Sequence, residues 1–77
     1  MQEYTINLNT IEKVKDFSNA TNVLSCDIRL VSGRYAIDGK SILGIFSLDL
    51  SKNILMQLTG SNEEINKAID VLGRFMV

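Results

Sequence analysis

The sequence lacks several residue types on which protein chemistry often depends. It has no histidine, no proline and no tryptophan, and its single cysteine is Cys26. Without histidine, the commonest general base and the commonest metal ligand are missing, and phosphohistidine cannot form. One cysteine cannot form an internal disulfide, and without histidine it offers no zinc site. We therefore expect no metal, no cofactor and no enzymatic activity.

Charge of one sign and long apolar runs are also scarce. The net charge of −1 gives no basic surface for nucleic acid or for an anionic membrane. No apolar run approaches the roughly 20 residues that span a bilayer. Residues 1–9 lack the basic start and apolar core of a secretory signal. Together with the lone cysteine, these features favour a reducing, cytoplasmic setting.

The length and the apolar pattern predict a single small domain, residues 1–77. Four segments are predicted to be strands, three of them because apolar residues alternate with polar ones, the pattern of half-buried strands. These segments are residues 3–9, 25–32, 34–38 and 54–59. The short Ser-Gly connection at 32–33 predicts an antiparallel hairpin between the second and third strands.

Helical spacing marks three further segments, residues 10–21, 41–48 and 62–75. Asn9 or Thr10 would cap the first helix. Its apolar stripe comprises Ile11, Val14, Phe17 and Thr21. The last helix opens on the capping-box pattern Ser61-x-x-Glu64. Its stripe comprises Ile65, Ala68, Ile69, Leu72 and either Phe75 or Met76.

The resulting order, β-α-β-β-α-β-α, predicts an α+β open-faced sandwich. A four-stranded antiparallel sheet would carry the helices on one face. The other face would display polar side chains, among them Thr5, Asp27 and Arg29. Cys26 is expected to be a small buried hydrophobe on the second strand.

The segment "GKSILGIFSLDL", residues 39–50, is the most informative part of the chain. Serine is among the preferred helix N-caps, so the simplest interpretation of Ser41 is a cap, with Lys40 in solvent. The short helix should expose part of its apolar surface and bury the rest. We expect Ile42 and Leu43 to be partly exposed, and Ile45 and Leu48 to be buried.

The order of elements, with "AIDGKSILGIFSLDLS" and "GSNEEINKAIDVL", resembles the HPr family. These are small phosphocarrier proteins of the bacterial sugar phosphotransferase system. The likeness runs without gaps from about Phe17 to Leu72, and "KSILGIFSL" is similar to the family's K-S-I-M-G-hydrophobic-M-S-L segment. The resemblance implies an HPr-like fold.

The chain departs from the family between the first strand and the first helix. Family carriers place an active histidine there, followed by arginine and proline, in a glycine-containing loop. The corresponding "NLNTIEKVK" is shorter, has no histidine, and has Glu12 or Lys13 in the place of the Arg-Pro pair. The resemblance therefore implies that phosphohistidine carrier activity is lost.

The resemblance also gives Ser41 a second interpretation. In typical Gram-positive members a dedicated HPr kinase phosphorylates the corresponding serine, and a catabolite-control transcription regulator binds the phospho-form. Catabolite-repression HPr, a relative without the histidine, works only through that serine. The resemblance thus implies a regulatory phosphosite at Ser41, with Lys40 and Arg34 as flanking cations. It also implies a partner-binding surface formed by Lys40, Ile42, Leu43 and Phe46. Ser47 matches a second family serine and is expected to be structural.

Two other functions stay open on the sequence alone. One is a protein-interaction module on the same fold that binds partners without phosphorylation. The other is a small-molecule-sensing domain that dimerises through an edge strand. Neither composition nor periodicity decides between these functions and the regulatory one.

Overall fold

Four strands and three helices follow one another in the order that the sequence predicts. The structure, a computed structural model, describes residues 1–77. Its elements are β1 (Gln2–Ile6), α1 (Ile11–Thr21), β2 (Asp27–Ser32), β3 (Tyr35–Asp38), α2 (Ile42–Phe46), β4 (Ile54–Thr59) and α3 (Asn62–Leu72). A 3-10 turn at Gly73–Phe75 follows α3. None of the helices has the length and apolar character needed to cross a membrane.

The strands form one antiparallel sheet in the order β1-β4-β2-β3. On central strand β4 every second side chain is buried, namely Ile54, Met56 and Leu58. The outer edge of β1 is partly covered by the end of the chain. There the Asn7 amide donates to the Phe75 carbonyl at 2.9 Å, and the Val77 amide donates to the Thr5 carbonyl at 3.0 Å.

The core lies between the helices and one face of the sheet. Seventeen buried apolar side chains form a single cluster there. Phe17 of α1 meets Phe75 edge-on, with ring centroids 5.2 Å apart. The opposite face exposes Thr5, Asp27 and Arg29. The predicted α+β open-faced sandwich is therefore confirmed.

Several element boundaries differ from the predicted ones. β1 ends at Ile6 rather than at residue 9, because the Asn9 amide donates to Asn7 Oδ1 at 3.3 Å and turns the chain away from the sheet. β2 begins at Asp27 instead of residue 25. The hairpin loop is Gly33 and Arg34 rather than residues 32–33, with Gly33 at φ +59° as the first central residue of a tight hairpin turn.

The helices are also shorter than predicted, and one core residue was assigned wrongly. α2 covers five residues, and α3 stops at Leu72 before the 3-10 turn. Ile11, placed on the buried stripe of α1, is 64% exposed. The whole first turn of α1 lies outside the core, since residues 9–13 are all exposed. The stripe therefore starts to pack only at Val14.

Candidate functional site

The chain between β3 and α2 makes a tight turn that only glycine allows. The Gly39 amide donates to the Ile28 carbonyl at 2.8 Å, which holds the turn against β2. A Cβ atom on Gly39 would lie 2.5 Å from Ile28 Cγ2, closer than two non-bonded carbon atoms can approach. Asp38 then fixes the next residues: its Oδ1 accepts from the Lys40 amide at 2.9 Å, and its carbonyl accepts from the Ser41 amide at 3.0 Å.

Ser41 is the N-cap of α2, as the sequence predicts. Its backbone is extended, at φ −95° and ψ 109°, and its Oγ accepts from the Gly44 amide at 3.2 Å. The Ser41 carbonyl accepts from the Ile45 amide at 3.0 Å. The hydroxyl oxygen therefore satisfies one of the amides that the first helical turn leaves without a partner.

Gly44 brings α2 close to the sheet. A Cβ atom at Gly44 would lie 3.3 Å from Ile37 Cβ and 3.4 Å from Ser41 Oγ. A larger side chain would therefore crowd both β3 and the serine hydroxyl. This glycine is the only residue that interrupts the apolar run of α2.

The apolar residues of α2 divide between core and solvent as expected. Ile45 is fully buried, and Leu48 just after the helix is 6% exposed. Ile42 and Leu43 are 38% and 81% exposed, and Phe46 is 45% exposed. We call the three exposed residues, Ile42, Leu43 and Phe46, the α2 patch. The patch adjoins Ser41 along the chain and offers apolar area for a partner to bury.

Lys40 is not simply solvated. Its Nζ donates to the Leu24 carbonyl at 2.7 Å, in the connection between α1 and β2. The residue is half-buried, and its side chain bridges two segments that are 16 residues apart. Lys40 therefore holds the start of α2 against the end of α1, a structural role that its position beside Ser41 does not suggest.

Arg34 does not lie beside Ser41. The two residues are at opposite ends of β3, whose length separates them by roughly 13 Å of extended backbone. Arg34 instead lines an open groove together with Ser47 and Lys52. The expectation that Arg34 flanks Ser41 is therefore wrong, because the hairpin turn carries it to the far end of the strand.

Ser47 Oγ donates to the Gly44 carbonyl at 2.5 Å, in keeping with a structural role.

A network of polar side chains closes the corner between β1 and α1. Thr10 caps the helix, with its Oγ1 accepting from the Lys13 amide at 3.1 Å. Lys13 Nζ donates to Asn9 Oδ1 at 3.1 Å and to Asn7 Oδ1 at 3.4 Å. Asn7 Nδ2 in turn donates to Asn53 Oδ1 at 3.1 Å. The spacing of Asn7, Asn9 and Lys13 could have suggested local bonds, but nothing in the sequence links them to Asn53.

Cys26, the residue before β2, is buried as expected. Burial raises the pKa of its thiol, and the positive charge of Lys40 partly opposes that shift. At the start of α3, the backbone amide and the hydroxyl of Ser61 hold the pKa of Glu64 below its usual value. No three histidine, cysteine or carboxylate side chains come together as metal ligands would.

Comparison with known proteins shows similarity to solved structures and to no family model or curated sequence. No family model matches the sequence, and no curated protein matches it. Among solved structures, HPr-C-His from Thermoanaerobacter tengcongensis is similar, with a TM-score of 0.74 and 23% sequence identity. The alignment covers 95% of this chain and 92% of that one. The open-faced sandwich of this chain is therefore HPr-like in fold.

Proposed function

We propose that this chain is an HPr-like regulatory protein of the phosphotransferase-system family, acting in the bacterial cytoplasm through phosphorylation at Ser41. The phosphorylated form would bind a catabolite-control transcription regulator. The observation that carries the proposal is the HPr-like fold with Ser41 at the cap of a short helix whose apolar side chains are exposed.

The position of Ser41 suits a phosphate. Its Oγ already accepts from the Gly44 amide, and the first amides of a helix have no acceptor within the helix. A phosphate dianion there would meet these donors and the positive end of the helix dipole. Phosphorylation would therefore add charge to the surface while leaving α2 folded. Ser41 is half-buried rather than enclosed, so a kinase can approach it.

The absence of histidine argues against a carrier function. The family's carriers use a histidine between the first strand and the first helix, and this sequence has none. In its place, Lys13 Nζ donates to the side-chain oxygens of Asn7 and Asn9. Neither amide nor ammonium groups exchange phosphate as an imidazole does. In this account the protein is not an enzyme, transfers no phosphate, and needs no metal, cofactor or direct nucleic-acid contact.

The partner surface would be the α2 patch beside the phosphate. A regulator that buries Phe46 and Leu43 gains apolar contact, and cationic groups of the regulator would pair with the phosphate. Lys40, expected from the sequence to contact the partner, is bound to the Leu24 carbonyl. Its contribution would therefore be to hold Ser41 and the α2 patch in place.

A second function fits the same patch without phosphorylation. Leu43 is 81% exposed and Phe46 45% exposed, a large exposure for neighbouring apolar side chains of one short helix. An unphosphorylated protein-interaction module would use this apolar area alone. The two functions differ in one property, which is whether binding depends on phosphate.

Incubation with an HPr kinase and ATP, followed by intact-mass measurement, tests the proposed phosphosite. We expect one added phosphate on the wild-type protein and none on the Ser41→Ala variant. Ser47→Ala is the matched control, since Ser47 lies at the other end of α2 and should leave the modification unchanged. An unmodified wild-type protein, or a phosphate that persists in Ser41→Ala, would refute the assignment.

A further inference from the structure

The two edges of the sheet differ in how they are covered. The outer edge of β1 bonds to the chain end through Phe75 and Val77, and Ile6 forms a β-bridge with Met76. β3, at the other edge, pairs only with β2. An uncovered edge presents main-chain donors and acceptors to another strand.

The hydrogen-bonding pattern of the hairpin shows which backbone groups of β3 have no partner on β2. Ser32 and Tyr35 flank a two-residue loop and pair with each other, as do Leu30 and Ile37. The Gly39 amide donates to the Ile28 carbonyl, which fixes the same pattern at the end of the strand. Because hydrogen bonds alternate along an antiparallel strand, the amide and carbonyl of Ala36 point away from β2. The Asp38 amide does so as well.

The sequence around Ala36 is complementary to itself. When two β3 strands pair antiparallel about Ala36, Arg34 lies opposite Asp38 of the partner subunit. By symmetry, Asp38 lies opposite Arg34 of the partner subunit. Tyr35 then lies opposite Ile37 of the partner subunit on the helix side of the sheet. Tyr35 is 67% exposed and Ile37 is half-buried, so both have apolar area left to bury. Opposite charges and aromatic–aliphatic pairs both stabilise antiparallel neighbours.

We propose that β3 is a self-pairing edge through which two copies of this chain join their sheets into one. The two-fold axis passes through Ala36, whose amide and carbonyl bond to those of the partner copy. The Asp38 amide meets the Arg34 carbonyl of the partner subunit. Charged residues on an edge often prevent pairing, and like charges directly opposite each other destabilise a strand pair. Here opposite charges stand at equal distances on either side of Ala36, so self-pairing is attractive.

The contact is small, so the dimer should be weak and reversible. It uses neither Ser41 nor the α2 patch, and it is independent of the proposed regulatory function. A monomer at every concentration would therefore not affect the phosphorylation proposal.

Two charge reversals make a sharp test by sedimentation velocity over a series of concentrations. In a homodimer of Arg34→Glu two carboxylates face each other at each contact, and in a homodimer of Asp38→Lys two cations do. Each variant alone should associate about tenfold or more weakly than the wild-type protein. An equimolar mixture of the two variants should recover much of the association. In a mixed dimer one contact pairs the new carboxylate with the new ammonium group, and the other contact keeps the original pair of arginine and aspartate. Lys67→Glu, on the exposed side of α3, is the control and should dimerise normally.

The Asp38 carboxylate also accepts from the Lys40 amide, so Asp38→Lys removes a hydrogen bond from the turn. Ala36→Pro removes the open amide without breaking a bond to β2, since proline is tolerated on an edge whose amide faces outward. This variant should be monomeric with wild-type circular dichroism. Exchange of the Ala36 amide should slow as the wild-type concentration rises. A wild-type monomer throughout, a mixture that fails to associate, or an Ala36 amide whose exchange ignores concentration would overturn the proposal.

Discussion

Single residues set the position of the site, and Gly39 is the clearest example. The sequence shows that Gly39 interrupts the strand pattern, but not why. In the structure a single hydrogen atom of its Cα takes the direction in which a Cβ would meet Ile28 Cγ2 at 2.5 Å. Lys40, next to it, looks like an ordinary solvated cation in the sequence, yet it bonds to the Leu24 carbonyl. A contact between residues 16 apart produces no periodic pattern in the sequence, so local patterns could not predict it.

Gly39→Ala should therefore be destabilising. The added methyl group must displace Ile28 or the turn, and overpacking of this kind costs about 1–3 kcal/mol in the free energy of unfolding. Gly73→Ala is the matched control, since its Cβ would meet nothing within 4 Å and its φ of −56° suits alanine. That variant should be neutral or more stable by about 0.4–1 kcal/mol. Urea denaturation of both variants measures the difference, and equal midpoints would contradict the packing argument.

At the scale of elements, the sequence predicted the type of each helix and strand better than its ends. The alternation that extends β1 to residue 9 reflects burial rather than strand, since Leu8 is fully buried although the strand stops at Ile6. At Ile11 the helix was predicted correctly but its burial was not. Helical spacing includes Ile11, yet the first turn of α1 packs against no other element, so this side chain is exposed. The capping box of α3 was predictable, since its two bonds join residues only three apart. The Ser61 amide donates to Glu64 Oε1 at 2.8 Å, and the Glu64 amide donates to Ser61 Oγ at 3.2 Å.

The capping box makes stability depend on pH in the acid range. Hydrogen bonds from Ser61 lower the pKa of Glu64 from its ordinary value of 4.5, so the unfolded chain takes up this proton first as the pH falls. The stabilisation is therefore complete above about pH 4.5 and is lost as the pH falls through the lower pKa of the folded state. Glu64→Gln, which cannot titrate, should lose less stability than the wild-type protein between about pH 5 and about pH 3, the range in which carboxylates titrate.

Thermal unfolding at several pH values measures this difference. Glu63→Gln is the control, because Glu63 lies in the same first turn but takes no part in the capping box. The Glu63→Gln variant should lose as much stability as the wild-type protein when the pH falls. Identical pH profiles for Glu64→Gln and the wild-type protein would show that the box is not formed in solution.

At the scale of the whole molecule, the order of elements and the polar outer face followed from periodicity alone. Period two marks strands and helical spacing marks helices, so the α+β sandwich was predictable. Contacts between distant segments were not, and these include the Asn7–Asn53 bond and the pairing of the chain end with β1. The site was only partly predictable for the same reason. Its cap and exposed patch are local, whereas the anchoring of Lys40 and the distance to Arg34 depend on the three-dimensional path of the chain.

We propose that partner binding by this protein depends on phosphate at Ser41. Isothermal titration calorimetry of a catabolite-control regulator, with the Ser41-phosphorylated and the unmodified protein, tests it most directly. Charge-assisted bonds to the phosphate should make the phosphorylated form bind at least about tenfold more tightly, and Phe46→Asp should weaken that binding by removing apolar contact. Equal affinity of the two forms would contradict the claim. Equal affinity that is lost in Phe46→Asp would instead establish the α2 patch as a phosphate-independent interaction surface.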